Sequence, residues 1–428
     1  MAPDDLTLEA GARLLHIGPH KTGTSAIQGA FHLARGRLAE YDVVYAGTGR
    51  QPMRPALAVT GRPAMLGEAR PEMAHWDKLV QDVRAAGDHR VVISSEFFAD
   101  GDDEAARRVV AELGGPRAHV VVTLRPLARI MPSQWQQFAQ NGLCTPYLEY
   151  IGKVLRQPEQ TPRFWQRHRH DRLIARWAAA AGAQNVTVIV VDGADRMALL
   201  RTFESLLGLP GGFLIPEDDV VNRSLTLAEA EVVRQLNEEF KRREWPEASY
   251  AKFLRYGAVR QMKGRQPLPG EPEIATPAWA LERVAEISAE MTRNIAALGV
   301  RVVGDLSSLS RSPDLPAPGP SPDLSAPSPS PESPPPGRSL DPSAPGRSPA
   351  RPAEAGAVAG TADPVIPVEA AVQAVLGAIL AGGIAEQAAE VDRQAVADRL
   401  VREVDARRLA GVLVRRGRQR VRRALRPG

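Results

Sequence analysis

The chain has 428 residues, and its 54 Lys and Arg against 50 Asp and Glu give a net charge of +4. This length accommodates one large domain or two ordinary ones, and so small a net charge argues against nucleic-acid binding driven by bulk charge. The single cysteine, Cys144, excludes an intramolecular disulfide framework and a cysteine-based metal cluster. Residues 1–10 are polar and acidic, so we expect no secretory signal and a cytoplasmic location.

Short apolar runs alternate with amphipathic ones through the first half of the chain. The strand candidates are residues 13–17, 42–46, 90–94, 119–124 and 186–191. The helical patterns are residues 26–38, 73–86, 103–113, 128–141, 163–181 and 197–207. This alternation predicts an α/β fold with a parallel sheet covered by helices on both faces. Ligands of such sheets bind beyond the carboxyl ends of the strands, so the residues that follow each strand are the candidates for function.

Further elements are predicted up to about residue 310. Thr226 and Glu229 form a capping-box pattern at the start of a helix, and Thr276-Pro277 opens another helix that runs to about Leu298. A short strand at residues 300–303 follows. Asn222 and Arg223, just before the capping box, are either contacts to a nucleotide or acceptor or part of an ordinary loop.

The first predicted strand breaks at Gly18-Pro19 and passes into a helix through a glycine-bearing turn. Such a turn presents backbone N–H groups and a helix N-terminus to an anion. Lys21 adds a positive charge, and hydroxyl residues surround Gly23. The residues of this predicted phosphate cradle are Lys21, Thr22, Gly23, Thr24 and Ser25. The alternative is a plain strand–turn–helix corner, which needs neither the lysine nor three hydroxyl groups.

The cradle differs from the common ATP or GTP loop. That loop, G-x-x-x-x-G-K-[ST], has its lysine directly after the second glycine, whereas here Thr24 follows Gly23 and Lys21 precedes it. The position of Lys21 near the strand end favours contact with a terminal phosphate over the wrapping of a metal-bound triphosphate.

A second phosphate grip is predicted after the fourth strand. Arg125 follows that strand directly, and Ser133 lies eight residues later on a predicted helix. An Arg fork and a Ser hydroxyl can hold one phosphate together. A surface salt bridge of Arg125 is the alternative interpretation.

The two grips resemble those of sulfotransferases that use 3′-phosphoadenosine 5′-phosphosulfate (PAPS). The cradle is similar to the K-[TS]-G-T-[TS] core of their 5′-phosphosulfate loop, and the Arg–Ser pair is similar to their 3′-phosphate motif. The resemblance covers about residues 10–310 and is closer to the bacterial and carbohydrate-modifying members. It implies a P-loop fold, PAPS as co-substrate without a metal, and donor-binding roles for all seven residues: Lys21, Thr22, Gly23, Thr24, Ser25, Arg125 and Ser133.

Two departures from the cytosolic members leave parts of the site open. Ala26 stands where those enzymes have a Trp after the two hydroxyl residues, so the group that stacks on the adenine is not identified. Their R-K-G segment is only weakly similar to Met262-Lys263-Gly264-Arg265, and this similarity assigns no role to these residues.

Sulfuryl transfer to an alcohol needs a base that takes the hydroxyl proton. Glu96, which follows the third predicted strand, is our candidate, because carboxylate bases also occur among carbohydrate sulfotransferases. Glu96 as a helix cap or ion-pair partner is the plain alternative. His20 and His75 are the other candidate bases.

The resemblance implies in-line transfer of a sulfuryl group to a hydroxyl or amine of a saccharide, glycopeptide, lipid or other small acceptor, with Lys21 and Glu96 as the catalytic residues. The alternatives are a small-molecule kinase of the P-loop type and a non-catalytic nucleotide-binding scaffold. The sequence does not identify the acceptor.

The chain changes character after this region. Residues 313–352 hold 15 of the 37 prolines among small polar residues, which predicts a disordered linker over residues 311–362. Residues 363–428 are predicted to be helical, and the last 22 residues carry nine arginines. We therefore expect a catalytic domain at residues 1–310, a linker, and a basic segment that docks to an anionic membrane surface or an acidic partner, or is simply solvated. Nucleic acid is not expected, because aromatic residues are not interleaved with the arginines.

Overall fold

The computed structural model describes residues 6–63, 69–191, 195, 197–217, 223–311 and 367–381. Its centre is a six-stranded sheet in which every neighbouring pair is parallel and the strand order is β2-β3-β1-β4-β5-β6. The strands are β1 (Arg13–Gly18), β2 (Val43–Tyr45), β3 (Arg90–Ser94), β4 (Ala118–Leu124), β5 (Val186–Val190) and β6 (Arg301–Val303). The predicted α/β class is confirmed.

Helices flank the sheet and extend beyond its edge. They are α1 (Thr24–Leu38), α2 (Met53–Val59), α3 (Ala74–Ala85), α4 (Asp103–Leu113), α5 (Leu127–Ala139), α6 (Tyr147–Arg156), α7 (Pro162–His168), α8 (His170–Ala181), α9 (Ala198–Leu207), α10 (Leu227–Arg242), α11 (Glu247–Tyr250), α12 (Val259–Gly264), α13 (Ala278–Ala297) and α14 (Val368–Ala381). A π-helix, Ala251–Ala258, joins α11 to α12.

The sheet is buried on both faces, because its central strands are apolar on both sides. On β1, Leu15 and Ile17 pack into one core with Trp76 and Trp177, whereas Leu14 packs into the opposite core with Phe203 and its neighbours. A third core lies among α5, α6, α10 and α13, beyond the edge of the sheet. This third core supports the segments that follow β4.

The predicted helix over residues 163–181 is wrong as a single element. The structure has two helices, α7 and α8, which separate at Arg169, where ψ of 78° leaves the helical region. His168 and His170 flank the break, and both are fully buried. Positions two apart on one α-helix point about 200° apart, so a continuous helix would expose one of the two rings. The break lets both rings turn inward.

The capping box at α10 is confirmed. The Thr226 hydroxyl accepts from the Glu229 N–H, and the Glu229 carboxylate accepts from the Thr226 N–H at 2.9 Å. The helices α2 and α6 and the helical residues 247–264 have no counterpart among the predicted elements. They include Lys263, whose charge affects Lys21 in the loop after β1.

Helix α14 packs on the π-helix through a close approach of two backbones. A Cβ on Gly257 would lie 2.7 Å from the carbonyl oxygen of Gly377, and the amide of Gln261 donates to the Gln373 side chain at 3.1 Å. The Pro-rich stretch and the Arg-rich end lie outside the described residues, and the three-part division of the chain stays a prediction. None of the described helices has the length and apolar character needed to cross a membrane.

We predict that Gly257→Ala loosens α14. Alanine normally stabilises a helix relative to glycine by about 0.5–1 kcal/mol, but here its methyl group meets the Gly377 carbonyl, and overpacking typically costs about 1–3 kcal/mol. Hydrogen exchange of the backbone amides in residues 368–381 should therefore accelerate, and Tm should fall.

The matched control is Gly152→Ala on α6, because a Cβ there meets nothing within 4 Å. This variant should keep or raise Tm and leave exchange in α14 unchanged. If both variants changed Tm and the exchange of α14 equally, the close contact between Gly257 and Gly377 would not be what holds α14 in place.

Candidate functional site

The candidate site lies at the carboxyl ends of β1, β3 and β4. After β1 the chain first forms β2 and β3 on one side of β1 and then crosses to β4 on the other side, so β1 marks the reversal of strand order. A crevice forms at such a reversal. Gly18, with φ of 82°, ends β1 there, and a Cβ on it would lie 3.0 Å from the Glu96 Cβ. The glycine therefore lets Glu96 approach the start of the 18–25 loop.

The 18–25 loop leaves backbone donors open at the start of α1. Lys21 and Gly23 both have positive φ, 69° and 95°, and Gly23 is the N-cap residue without a side-chain cap. The N–H groups of Gly23, Thr24 and Ser25 find no acceptor in the described part of the chain. A Cβ on Gly23 would lie 2.8 Å from a methyl carbon of Leu199, and the positive φ would strain any larger residue at this position. Open N–H groups at a helix N-terminus bind anions.

Lys21 sits in a strongly electropositive environment. Burial lowers the pKa of Lys21 to about 8, the charges of Lys263 and Arg125 act in the same direction, and only the Glu96 carboxylate opposes them. Burial, together with Arg129, likewise lowers the pKa of Arg125. Neither Lys21 nor Arg125 forms an ion pair with another described residue. Desolvated cations without acidic partners are costly, and an anionic ligand would relieve that cost.

A buried hydroxyl–imidazole network supports the loop from below. The Thr123 hydroxyl on β4 lies 2.7 Å from the Thr22 hydroxyl and 3.2 Å from His16 Nε2, and the other ring nitrogen of His16 lies 2.8 Å from the Ser94 hydroxyl. Burial lowers the pKa of His16 to about 3, so the ring is neutral. Thr22 donates its hydroxyl to the Pro19 carbonyl at 2.6 Å. The Thr22 hydroxyl thus faces the interior, while Thr24 and Ser25 lie at the start of α1.

The second predicted grip follows β4. Arg125 is half-buried directly after the strand, close enough to Lys21 to affect its pKa. Ser133 is half-buried on α5, and its hydroxyl has no hydrogen-bond partner among the described residues. The structure thus brings Arg125 to the loop and leaves both side chains available to a ligand.

Glu96 lies against Gly18 at the start of the 18–25 loop. Its Oε2 accepts a hydrogen bond of 2.9 Å from the Gln28 amide, and the residue is half-buried. His20 is buried, with its ring edge-on to Phe97 and its Nε2 3.8 Å from Asp100 Oδ2. His75 is exposed on α3 and makes no described contact with the loop.

His20 faces an acidic group that other residues already hold. Burial favours the protonated Asp100 carboxyl, but His20 and a two-bond pair with Arg167 at 2.6 Å lower its pKa well below the ordinary value. Asp100 is therefore ionised and already paired with Arg167. The His20 ring lies next to this pair in the protein interior.

Sequence reasoning missed Lys263. Its charge is the largest influence of any side chain on Lys21, although the two residues lie far apart along the chain. The only sequence signal for Lys263 was the weak similarity of residues 262–265 to the R-K-G segment. Arg223, by contrast, directs its guanidinium to Glu229 and to backbone carbonyls, and Asn222 lies outside the described residues.

The arrangement is suited chemically to an anionic ligand. The loop offers N–H groups and Lys21, and Arg125 and Lys263 add charge from two other segments. Within the described ranges no group of three or more His, Cys, Asp and Glu side chains is arranged to hold a metal ion.

We predict that Lys21→Met stabilises the ligand-free protein. The pKa of Lys21 is about 8 in the folded state and 10.5 ordinarily, so the unfolded state binds more protons between these values. Stability then rises with pH over that window, and the cost of the buried charge is fully present below about pH 8. Lys21→Met removes that cost, on the order of 1–3 kcal/mol at pH 7, and flattens the pH dependence.

Denaturant unfolding from pH 6 to 10.5 measures this effect. Lys78→Met is the control, because Lys78 is exposed and pairs only with Asp82 across one helical turn. It should leave the free energy of unfolding nearly unchanged. A Lys21→Met protein no more stable than the wild type at pH 7 would show that the ammonium is well solvated.

The chain matches no protein-family model and no curated protein in sequence. Its structure is similar to the crystal structure of a sulfotransferase from Alicyclobacillus acidocaldarius, with 17% sequence identity and a TM-score of 0.42. The similarity covers 70% of this chain and 99% of that chain. A TM-score this low carries no inference about function.

Proposed function

We propose that this protein transfers a sulfuryl group from PAPS to a hydroxyl or amine of a saccharide, glycopeptide, lipid or other small acceptor. The observation that carries the proposal is a pair of half-buried cations, Lys21 and Arg125, which form no ion pair with another described residue and lie beside the open N–H groups of the 18–25 loop. The loop has the K-T-G-T-S sequence that resembles PAPS-dependent enzymes, and it lacks the lysine position of ATP-binding loops.

The residues present fit a ligand with two separate phosphate groups. The N–H groups at the start of α1 and Lys21 would hold the 5′-phosphosulfate, since both favour negative charge. Arg125 and the free hydroxyl of Ser133 would hold the 3′-phosphate. Lys263 adds a third cation beside Lys21, in keeping with the high charge of such a ligand.

The donor supplies the sulfuryl group: a bond forms between the acceptor atom and sulfur, and the bond from sulfur to the 5′-phosphate oxygen breaks. Lys21 and the loop N–H groups oppose the negative charge that grows on that oxygen. Glu96 takes the proton of the acceptor. Gln28 holds one oxygen of the Glu96 carboxylate, and this contact orients the other for proton transfer.

The Arg-rich end is proposed to determine where in the cell the protein binds, without a part in the reaction. Its nine arginines in 22 residues would bind an anionic membrane surface or an acidic partner, with a strong dependence on salt. The protein itself is proposed to be cytoplasmic.

Calorimetry with 3′-phosphoadenosine 5′-phosphate (PAP) tests donor binding. We predict tight binding without Mg²⁺ and poor binding of ATP. Arg125→Ala should weaken PAP binding by about 2 kcal/mol or more, because it removes a desolvated charged contact. Arg156→Ala, on the exposed face of α6, is the control and should bind normally. Preference for ATP with a requirement for Mg²⁺ would instead favour a kinase.

Glu96→Gln separates binding from transfer. The variant keeps the shape of the side chain but cannot take a proton, so PAP should bind nearly as in the wild type while transfer falls by about 10²-fold or more. Transfer is measured by mass spectrometry after incubation with PAPS and host extract. Normal transfer by Glu96→Gln would remove the base role from this residue, and PAP binding without any turnover in the wild type would favour a non-catalytic scaffold.

A further inference from the structure

Four charged side chains form a buried cluster next to Lys263. This ionic cluster consists of Arg223, Glu229, Arg265 and Glu271. Glu229 accepts two hydrogen bonds of 2.7 Å from Arg223 and one of 3.0 Å from Arg265. Arg265 also pairs with Glu271 through both terminal nitrogens, one of them at 2.6 Å. Two arginines and two glutamates thus balance each other in charge.

The cluster also forms hydrogen bonds with the backbone on both sides of Lys263. Arg223 Nε donates to the Arg265 carbonyl oxygen at 2.8 Å, and its Nη2 donates to the Met262 carbonyl oxygen. These carbonyls immediately precede and closely follow Lys263 in the chain. One guanidinium thereby fixes the end of α12 from which the Lys263 side chain extends.

Burial makes this arrangement rigid. The Glu229 side chain is 0% exposed, those of Arg265 and Glu271 are each 6% exposed, and that of Arg223 is 22% exposed. A buried charge that loses its partner is strongly unfavourable, so the four groups hold one geometry. Surface ion pairs give no such constraint.

The cluster is also tied to the helix that carries Ser133. The Gln136 side chain on α5 accepts from the Leu225 N–H at 2.9 Å and donates to the Leu225 carbonyl at 3.3 Å. Leu225 directly precedes the capping box of Thr226 and Glu229. Helix α5, the start of α10 and the end of α12 are therefore joined by one continuous set of hydrogen bonds.

We propose that the ionic cluster is a positioning device that fixes the backbone around Lys263, holds its ammonium group within electrostatic reach of Lys21 and thereby sets the affinity of the anion site. Arg223 is its central residue, since it alone contacts both Glu229 and the backbone around Lys263. The cluster itself does not touch the ligand. The inference rests on the anion site described under the proposed function.

A double-mutant cycle in full-length protein tests the coupling. Arg223→Lys keeps the positive charge but loses the planar fork that holds two carbonyls and a carboxylate. We expect it to weaken PAP binding about tenfold in the wild-type background and less than about twofold in Lys263→Ala. A purely structural role, or a long-range charge effect, would give the same factor in both backgrounds and would overturn the proposal, as would normal binding by Arg223→Lys.

Arg234→Lys is the matched control. Arg234 lies on α10, the helix that follows Arg223, and bonds two carboxylates, Glu231 and Glu238, and the Cys144 carbonyl, away from the Lys263 segment. It should lower Tm about as much as Arg223→Lys and leave PAP affinity unchanged. A comparable loss of affinity in Arg234→Lys would overturn the proposal, because general destabilisation would then explain both variants.

A second measurement does not depend on the ligand. Since the charge of Lys263 lowers the pKa of Lys21, its displacement should raise that pKa. The pH dependence of Lys21 acetylation, followed by mass spectrometry, should shift upward in Arg223→Lys, toward its position in Lys263→Ala.

The two measurements separate the two hypotheses. Failure of the wild type to bind PAP contradicts the proposed function, and the titration of Lys21 then decides the role of the cluster alone. An unchanged Lys21 titration in Arg223→Lys overturns the positioning role, even where PAP binds.

Discussion

The structure depends on one electrostatic constraint: positive charge gathers at the ends of β1 and β4, and no ion pair within the described residues neutralises it. Lys21 is brought there by a loop with left-handed backbone at Lys21 and Gly23, and Arg125 by the end of the neighbouring strand. Among the described residues, Glu96 is the one negative charge that acts on Lys21, and the two side chains form no ion pair. A folded protein tolerates such an arrangement where a ligand completes it.

The layer beneath the loop is suited to this constraint because it is polar but uncharged. Thr22, Thr123, His16 and Ser94 satisfy one another by hydrogen bonds, and burial keeps the imidazole neutral. An additional cation below Lys21 would raise the cost of its charge, and a carboxylate would compete with an anionic ligand. Neutral hydroxyl groups fix the loop without doing either.

Most of the sheet could be predicted from the sequence, since apolar runs between turn residues are local signals. The bounds of β3 agree with the prediction, and the others differ by one or two residues. The loop and Arg125 could be found for the same reason, because each follows a predicted strand. Lys263 could not be found, because its position is set by contacts between α5, α10 and α12 that no local pattern encodes. The break at Arg169 likewise depends on tertiary burial of two histidines.

The capping carboxylate of α10 has a consequence for how this chain can vary. Glu229 starts the helix through the Thr226 N–H and, with the same two oxygens, neutralises Arg223 and Arg265. Replacing Glu229 would remove one half of the capping box, take the carboxylate contacts away from Arg223 and leave Arg265 with Glu271 as its remaining carboxylate. In evolutionary terms, positions 223, 229 and 265 are coupled through one carboxylate, so we expect homologous chains to differ there together more often than singly.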